Sequence, residues 1–247
     1  MRFVGCYCEG VPLLPDRLYA FPRKPDDIGL VQGVVILDSG AYGLSRRGQL
    51  IGPAHMAKLN GYYSEYGAGC WCVGPDAYLN PAATMRNWRY WHEVGYTEVM
   101  PVIQFLRAGR LDVTSALRQA AFYAAWSPAR VAISNPGLTA AAAKAMGMGF
   151  ICAEVRRITG CQWLHNLGAG WSAADVADWR DMGSFDSIDT IAYYTDAQAG
   201  WRWRLDGRRE RAADDDWRDL AIENAAVAAR IAGLDYKPFS FTVVKEL

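Results

Sequence analysis

The chain has no apolar run of the roughly 18 residues that a membrane-spanning helix requires. No membrane partner is therefore expected. It has no net charge either, since 26 Lys and Arg balance 26 Asp and Glu. A strongly basic protein that coats nucleic acid without specificity is excluded, although a local basic patch is not. Its start, Met1-Arg2-Phe3-Val4-Gly5, has no apolar leader core and no cleavage site, which predicts a cytoplasmic location. Internal repeats, low-complexity tracts and linkers are missing, so one domain over 1–247 is expected. Histidine is scarce, at three residues. His55 and His92 read as helix-surface residues, and His165 as a side chain within reach of a pocket.

What is present is a globular composition. Hydrophobic residues make up 51% and charged residues 21%, which excludes disorder. Ten Trp, thirteen Tyr and eight Phe can serve a core, or stack on sugars and bases. The six cysteines read as free thiols of a large core in a reducing compartment. Cys6-x-Cys8 and Cys70-x-Cys72 each put two thiols on one strand face. Four thiolates would suit tetrahedral zinc, but buried structural cysteine accounts for them equally without a metal.

Short apolar runs alternate with helical patterns. Strands are expected at Arg2–Cys8, Val34–Asp38, Cys70–Gly74, Glu98–Gln104, Arg130–Asn135, Gln162–Leu167, Phe185–Tyr193 and Phe239–Val244. Helices are expected at Pro53–Tyr66, Pro81–Val94, Val113–Trp126, Thr139–Thr159, Ser172–Met182 and Asp214–Ala232. Near-continuously apolar strands separated by helices indicate a parallel sheet covered on both faces. Eight of them in this length fit a closed (β/α)8 TIM-type barrel, with an open doubly wound parallel sheet as the alternative. Several strands end in a polar residue or a glycine turn: Asp38-Ser39-Gly40, Gly74-Pro75-Asp76, Gln104, Asn135-Pro136-Gly137 and Leu167-Gly168. Barrel active sites are built at those strand ends, although each segment alone also reads as an ordinary turn.

Carboxylates from distant strands, such as Asp38 with Asp189, are the minimum equipment for glycosidic chemistry: one attacks the anomeric carbon and the other moves a proton. Asp186 and Asp189 point to opposite faces if both lie on one strand. Leu37-Asp38-Ser39-Gly40-Ala41-Tyr42 resembles the "DSG-G/A-aromatic" signature of the tRNA-guanine transglycosylase superfamily, closest to its short phage and bacterial members that insert 7-deazaguanines into DNA. Asp76 to Asn87 is similar to their "LDVIGDPEAT..N" segment, with Asn80 in place of the second acid. Met100-Pro101-Val102-Ile103-Gln104 resembles "PVVQ", and Val131 to Gly137 sits where the family has an "IGG" turn, without its first glycine. His165-Asn166-Leu167-Gly168-Ala169-Gly170 resembles "YLMGVG", and Asp186 to Tyr193 resembles "DMFDSAAY". These matches keep the family's order over roughly two thirds of the chain.

The resemblance implies a (β/α)8 barrel and an exchange of guanine for a 7-deazaguanine such as preQ0. Asp189 would be the nucleophile at C1′, with Asp186 its competitor, and Asp38 would handle the proton of the incoming base. Asp76 and Gln104 would bind the base edge, Ser39, Gly40 and Asn135 would line the site, Leu167 and Gly168 would pack on the base, and Tyr193 would lie beside them. No metal or other cofactor is expected at C1′. The tRNA enzymes carry a C-terminal zinc site of three cysteines and a histidine, whereas no Cys follows Cys161 and no His follows His165 here. That leans the expected partner to DNA, with tRNA as the alternative and a non-catalytic base-binding barrel as a third reading. A homodimer is compatible with the family. Arg202, Arg204, Arg208 and Arg209, interleaved with Trp201 and Trp203, would hold the polynucleotide.

Overall fold

The computed structural model describes residues 1–6, 16–25, 31, 33–107, 110–135, 138–168, 172–212 and 215–234. In chain order the elements are β1 (Arg2–Cys6), β2 (Arg17–Ala20), β3 (Val35–Asp38), α1 (Ala41–Arg46), α2 (Pro53–Tyr66), β4 (Trp71–Cys72), α3 (Pro81–Glu93), β5 (Val102–Gln104), β6 (Leu106–Arg107), β7 (Arg110–Leu111) and α4 (Val113–Ala124). They continue with β8 (Arg130–Ser134), α5 (Ala140–Ala145), α6 (Met148–Thr159), β9 (Trp163–Leu167), α7 (Ala173–Met182), β10 (Ser187–Thr190), α8 (Ala192–Gln198), β11 (Trp201–Trp203), β12 (Arg209–Arg211) and α9 (Trp217–Ile231).

Eight strands form one sheet in the order β4-β3-β2-β1-β10-β9-β8-β5. All seven pairings are parallel. The two ends of that order meet through a parallel bridge between Val73 and Met100. The Met100 N–H donates to the Cys72 carbonyl at 2.7 Å, and the Gly74 N–H to the Met100 carbonyl at 2.8 Å. Closure removes both sheet edges, so the open doubly wound alternative is set aside and the fold is a (β/α)8 TIM-type barrel.

The sheet divides the buried side chains into two clusters by strand alternation. Val4, Leu18, Ile36, Val73, Met100, Val102 and Ala132 fill the inside of the barrel. Phe3, Tyr19, Leu37, Ile103, Ile133 and Ile188 face outward into the larger core beneath the helices. At the N-terminal end of the strands, Trp71 and Trp163 meet edge to face at 5.1 Å, and the Arg130 guanidinium lies 4.7 Å from the Trp71 ring centre. These three groups form a floor to the barrel.

Helix starts follow local chemistry. Pro53 and Pro81 sit in the first turns of α2 and α3, where no N–H is needed. Side chains of Asn80, Asp112 and Ser172 accept the N–H of Ala83, Ser115 and Asp175, capping α3, α4 and α7. The single helix expected over Thr139–Thr159 is two helices, because Gly147 adopts φ 79° between them. The strand expected to run to Tyr193 stops at Thr190, whose hydroxyl accepts the Ala192 N–H at 3.0 Å and turns the chain into α8. The barrel strand missing from the sequence reading is β2, too short and too polar at its start to stand out, and the small β6–β7 and β11–β12 hairpins were not expected either; the segment Phe239–Val244, expected as a strand, lies outside the described residues. Among the described residues, no helix is long and apolar enough to cross a membrane.

Candidate active site at the barrel mouth

The C-terminal strand ends bring Asp38, Asp76, Gln104, Leu167 and Asp189 to one mouth of the barrel. Asp38 is the last residue of β3 and is half-buried. Burial is the largest influence on its carboxyl, followed by the charge of Asp76; with a smaller push from Asp189 these together outweigh the Gly40 and Ser39 N–H donors, leaving it at about 7. The charge of Asp189, which lies 151 positions away in the chain, reaches Asp38, so the two carboxyls face the same end of the barrel.

Ser39 is buried and donates its hydroxyl to Asp76 at 2.8 Å. The other Asp76 oxygen accepts the Gln104 amide at 2.8 Å. Burial pushes Asp76 up to about 6, against the pull of these two donors. Gln104 is fixed in turn by Gln119 of α4, which donates to its carbonyl at 2.8 Å and accepts its N–H at 3.0 Å. Its side-chain oxygen accepts the Leu79 N–H at 3.3 Å. The sequence reading missed Gln119, because a glutamine inside an amphipathic helix carries no motif.

Gly40 has φ 72°, and a Cβ there would lie 2.6 Å from the Phe21 carbonyl oxygen. Gly40→Ala is expected to lose about 3 kcal/mol, combining left-handed strain with a backbone clash. Urea unfolding measures it; a loss under about 1 kcal/mol would mean that the loop beside Phe21 yields.

Asp189 faces into the barrel from β10. One oxygen, Oδ1, accepts the Gly168 N–H at 2.9 Å and lies 3.1 Å from His165 Nε2. The other, Oδ2, accepts the Cys6 thiol at 3.4 Å. Gly168 holds φ 73°, and a Cβ would meet the Asn135 carbonyl at 3.2 Å, so glycine allows the turn that aims its N–H. Leu167 is half-buried against the interior cluster. The exposed Tyr42 ring pairs edge to face with Tyr78 at 5.2 Å beside these groups.

Other expected site residues are engaged in different contacts. Asp186 precedes β10 at the opposite end of the barrel, where its Oδ2 binds Arg156 at 2.7 Å and the Leu164 N–H at 2.7 Å. It cannot meet Asp38, which corrects its place as a competing nucleophile. Asn135 closes its own turn, accepting the Leu138 N–H at 2.9 Å and donating to the Leu138 carbonyl at 3.2 Å. Tyr193 is fully buried, donates to the Cys6 carbonyl at 2.5 Å and packs on Phe3, so it supports the mouth without lining it. Trp171 and Cys8 lie outside the described residues.

The possible thiolate site is also corrected. Cys6 points into the barrel, whereas Cys72 joins the outer core. Cys70 precedes β4 and donates to the Tyr66 carbonyl. Cys6 and Cys72 thus lie on opposite faces of the sheet, and among the described residues no group of three or more His, Cys, Asp or Glu is placed to hold a metal.

The arginine-rich stretch is the β11–β12 hairpin, whose tip glycine Gly207 rests on Ala174 at the start of α7. It therefore reaches toward the mouth. Four of its five arginines face carboxylates, however, and the fifth, Arg211, lies over the Trp201 ring. Arg202 contacts Asp215, Glu223 and Glu210. Arg204 binds Glu210, Arg209 binds Asp196, and Arg208 lies 3.7 Å from Asp206. The stretch is a charge-compensated ribbon rather than the basic run its spelling implies.

No protein-family model and no curated protein matches the chain. Among solved structures it is similar to tryptophan synthase from M. tuberculosis in an aminoacrylate-bound form, at 11% identity and TM-score 0.44 over 92% of this chain and 93% of that one. It is also similar to an open form of tryptophan synthase from M. tuberculosis with BRD0059 bound, at 12% identity and TM-score 0.46 over 92% of each chain. Neither likeness is close enough to carry functional meaning.

Proposed function

We propose that this barrel is a guanine transglycosylase that exchanges guanine in DNA for a 7-deazaguanine through a covalent Asp189–glycosyl intermediate. One arrangement carries the reading: Asp38 and Asp189 stand at the same end of the barrel, Asp38 with its carboxyl raised to about 7 and Asp189 held through one oxygen by the Gly168 N–H and His165. Retaining glycosyl transfer needs that division between a nucleophile and a proton carrier.

Asp189 Oδ2 attacks C1′ of the target nucleotide and the C1′–N9 bond breaks. The electron pair goes to the departing base, which takes a proton from the Asp38 carboxyl. The positive charge developing on the sugar is stabilised by the adjacent carboxylate. A 7-deazaguanine then enters, returns a proton from its N9 position to Asp38, and attacks C1′ to release Asp189. The Ser39–Asp76–Gln104 network presents a carboxyl oxygen pair and an amide to the base edge, and Gln119 keeps it rigid. Bond energy is kept throughout, so no external energy source is required. The target base must leave the stack to reach the mouth.

Incubation of the chain with preQ0 and either DNA or tRNA, followed by mass spectrometry of the digested nucleosides, tests this. A deazaguanosine is expected in the DNA pool. Its appearance in tRNA alone would move the substrate to RNA, and its absence from both would overturn the reading.

A further inference from the structure

Behind Asp189 the interior of the barrel carries a column of polar side chains, Trp163, Ser187 and His165, whose part in the exchange has not been assigned above. At the floor, the Trp163 indole N–H donates to Ser187 Oγ at 2.8 Å. Ser187 Oγ lies 2.7 Å from His165 Nδ1, and His165 Nε2 lies 3.1 Å from Asp189 Oδ1. Ser187, His165 and Asp189 are all buried, with Ser187 and His165 wholly so. The β9–β10 register places Ser187 beside His165 and holds the column in line.

Hydrogen counting fixes the direction. An indole N–H can only donate, so Ser187 Oγ accepts it. An ionised carboxylate can only accept, so the imidazole nitrogen facing Asp189 must carry hydrogen. A neutral ring then has a lone pair on Nδ1, and the Ser187 hydroxyl hydrogen fills it. Every donor and acceptor is matched in this arrangement. With hydrogen on Nδ1 as well, the Ser187 hydroxyl would lose its acceptor among the described residues.

The geometry points to His165 as a positioning residue for Asp189, locked as the Nε2–H tautomer by Ser187 and Trp163. This rests on the transglycosylase reading. Its consequence is a division of labour within one carboxylate. Oδ1 receives the His165 and Gly168 N–H groups, whereas among the described residues no N–H reaches Oδ2, which faces the Cys6 thiol. Oδ2 is thus the oxygen that bonds C1′. In the glycosyl ester Oδ1 becomes the carbonyl oxygen, still held by both N–H groups. Those donors stabilise the negative charge that returns to the carboxylate when the incoming base displaces it.

The test combines a spectroscopic and a kinetic measurement on the full chain. Nitrogen-15 NMR of the histidine-labelled protein at pH 8, assigned with His165→Gln, is expected to show a neutral ring protonated at Nε2. Ser187→Ala should leave the hydrogen on Nε2, which Asp189 requires, and shift the Nδ1 resonance as that nitrogen loses its donor. His165→Leu is expected to lower kcat for exchange about 10²-fold with KM for nucleic acid nearly unchanged. His165→Gln, whose amide can still donate, should recover much of the loss. A wild-type ring protonated at Nδ1, or a folded His165→Leu with wild-type kcat, would overturn the proposal. Should the unaltered chain exchange nothing, the transglycosylase reading falls on its own; a ring protonated at Nε2 then still upholds the column, and one protonated at Nδ1 overturns it.

Discussion

Asp189→Asn is expected to abolish base exchange, by about 10⁴-fold or more, while the fold survives. The carboxamide is nearly isosteric and its oxygen can still accept the Gly168 N–H that holds Oδ1. What it cannot supply is an anionic oxygen to form a bond to C1′. The experiment pairs labelled-guanine exchange with circular dichroism and a denaturing gel that traps the covalent DNA adduct. The adduct should form with the unaltered chain and disappear in the variant. Retained exchange in a folded Asp189→Asn would end the covalent mechanism. Asp186→Asn serves as the control, because Asp186 holds Arg156 at the far end of the barrel. It should leave exchange intact and cost at most some stability.

Asp38→Asn should do the opposite of what most substitutions of a buried polar residue do: raise stability while removing activity. Asp38 is shifted from its ordinary 3.8 to about 7, and Asp76 from 3.8 to about 6. Between about pH 4 and 7 the folded state therefore binds more protons than the unfolded chain, and stability falls as pH rises through that window. For Asp38 alone the ceiling on this loss at pH 8 is about 4 kcal/mol. Solvent at the open mouth lowers it, and a gain of about 2 kcal/mol is expected for Asp38→Asn at pH 8. In a chain of this size that raises Tm by roughly 4–8 °C. At pH 4 the two proteins should melt nearly together. Thermal melts across pH 4–8 decide the matter. Equal Tm values at pH 8 would show that the folded chain does not oppose ionisation of Asp38. The same carboxyl is the proton carrier of the proposed reaction, so exchange should be lost in the stabilised variant, a trade found where sites hold strained charges.

The barrel was legible because its strands are apolar on both faces and its helices are capped by residues that announce themselves. Pro53–Tyr66 is found at the boundaries expected, and Ser172 caps Asp175 as its spacing implies. The short strand Arg17–Ala20 was not legible, since four residues with a leading arginine give no alternation to read. Asp38, Asp76 and Gln104 could be found because each ends or follows a strand, where a polar residue after an apolar run is conspicuous, whereas Asp189 lies within its strand and was singled out through the family resemblance. Their supporting residues were harder. Gln119 acts through the backbone of Gln104, and Ser187 through a histidine on the neighbouring strand. Such pairs are adjacent only across the sheet register. The ion pairing of the arginine hairpin was hidden for the same reason: its counter-charges Asp196 and Glu223 lie on separate helices, before and after it.

Among the described residues, Trp71, Trp163 and Arg130 close the N-terminal end of the barrel interior, which leaves the mouth beside Asp189 as the approach the proposed exchange would use. Any two molecules traded across Asp189 must use it in turn. The departing base has to clear the opening before its replacement can enter, so the order of events is imposed by architecture rather than by affinity. Rates measured against both reactants should then give parallel double-reciprocal lines, the signature of strict alternation.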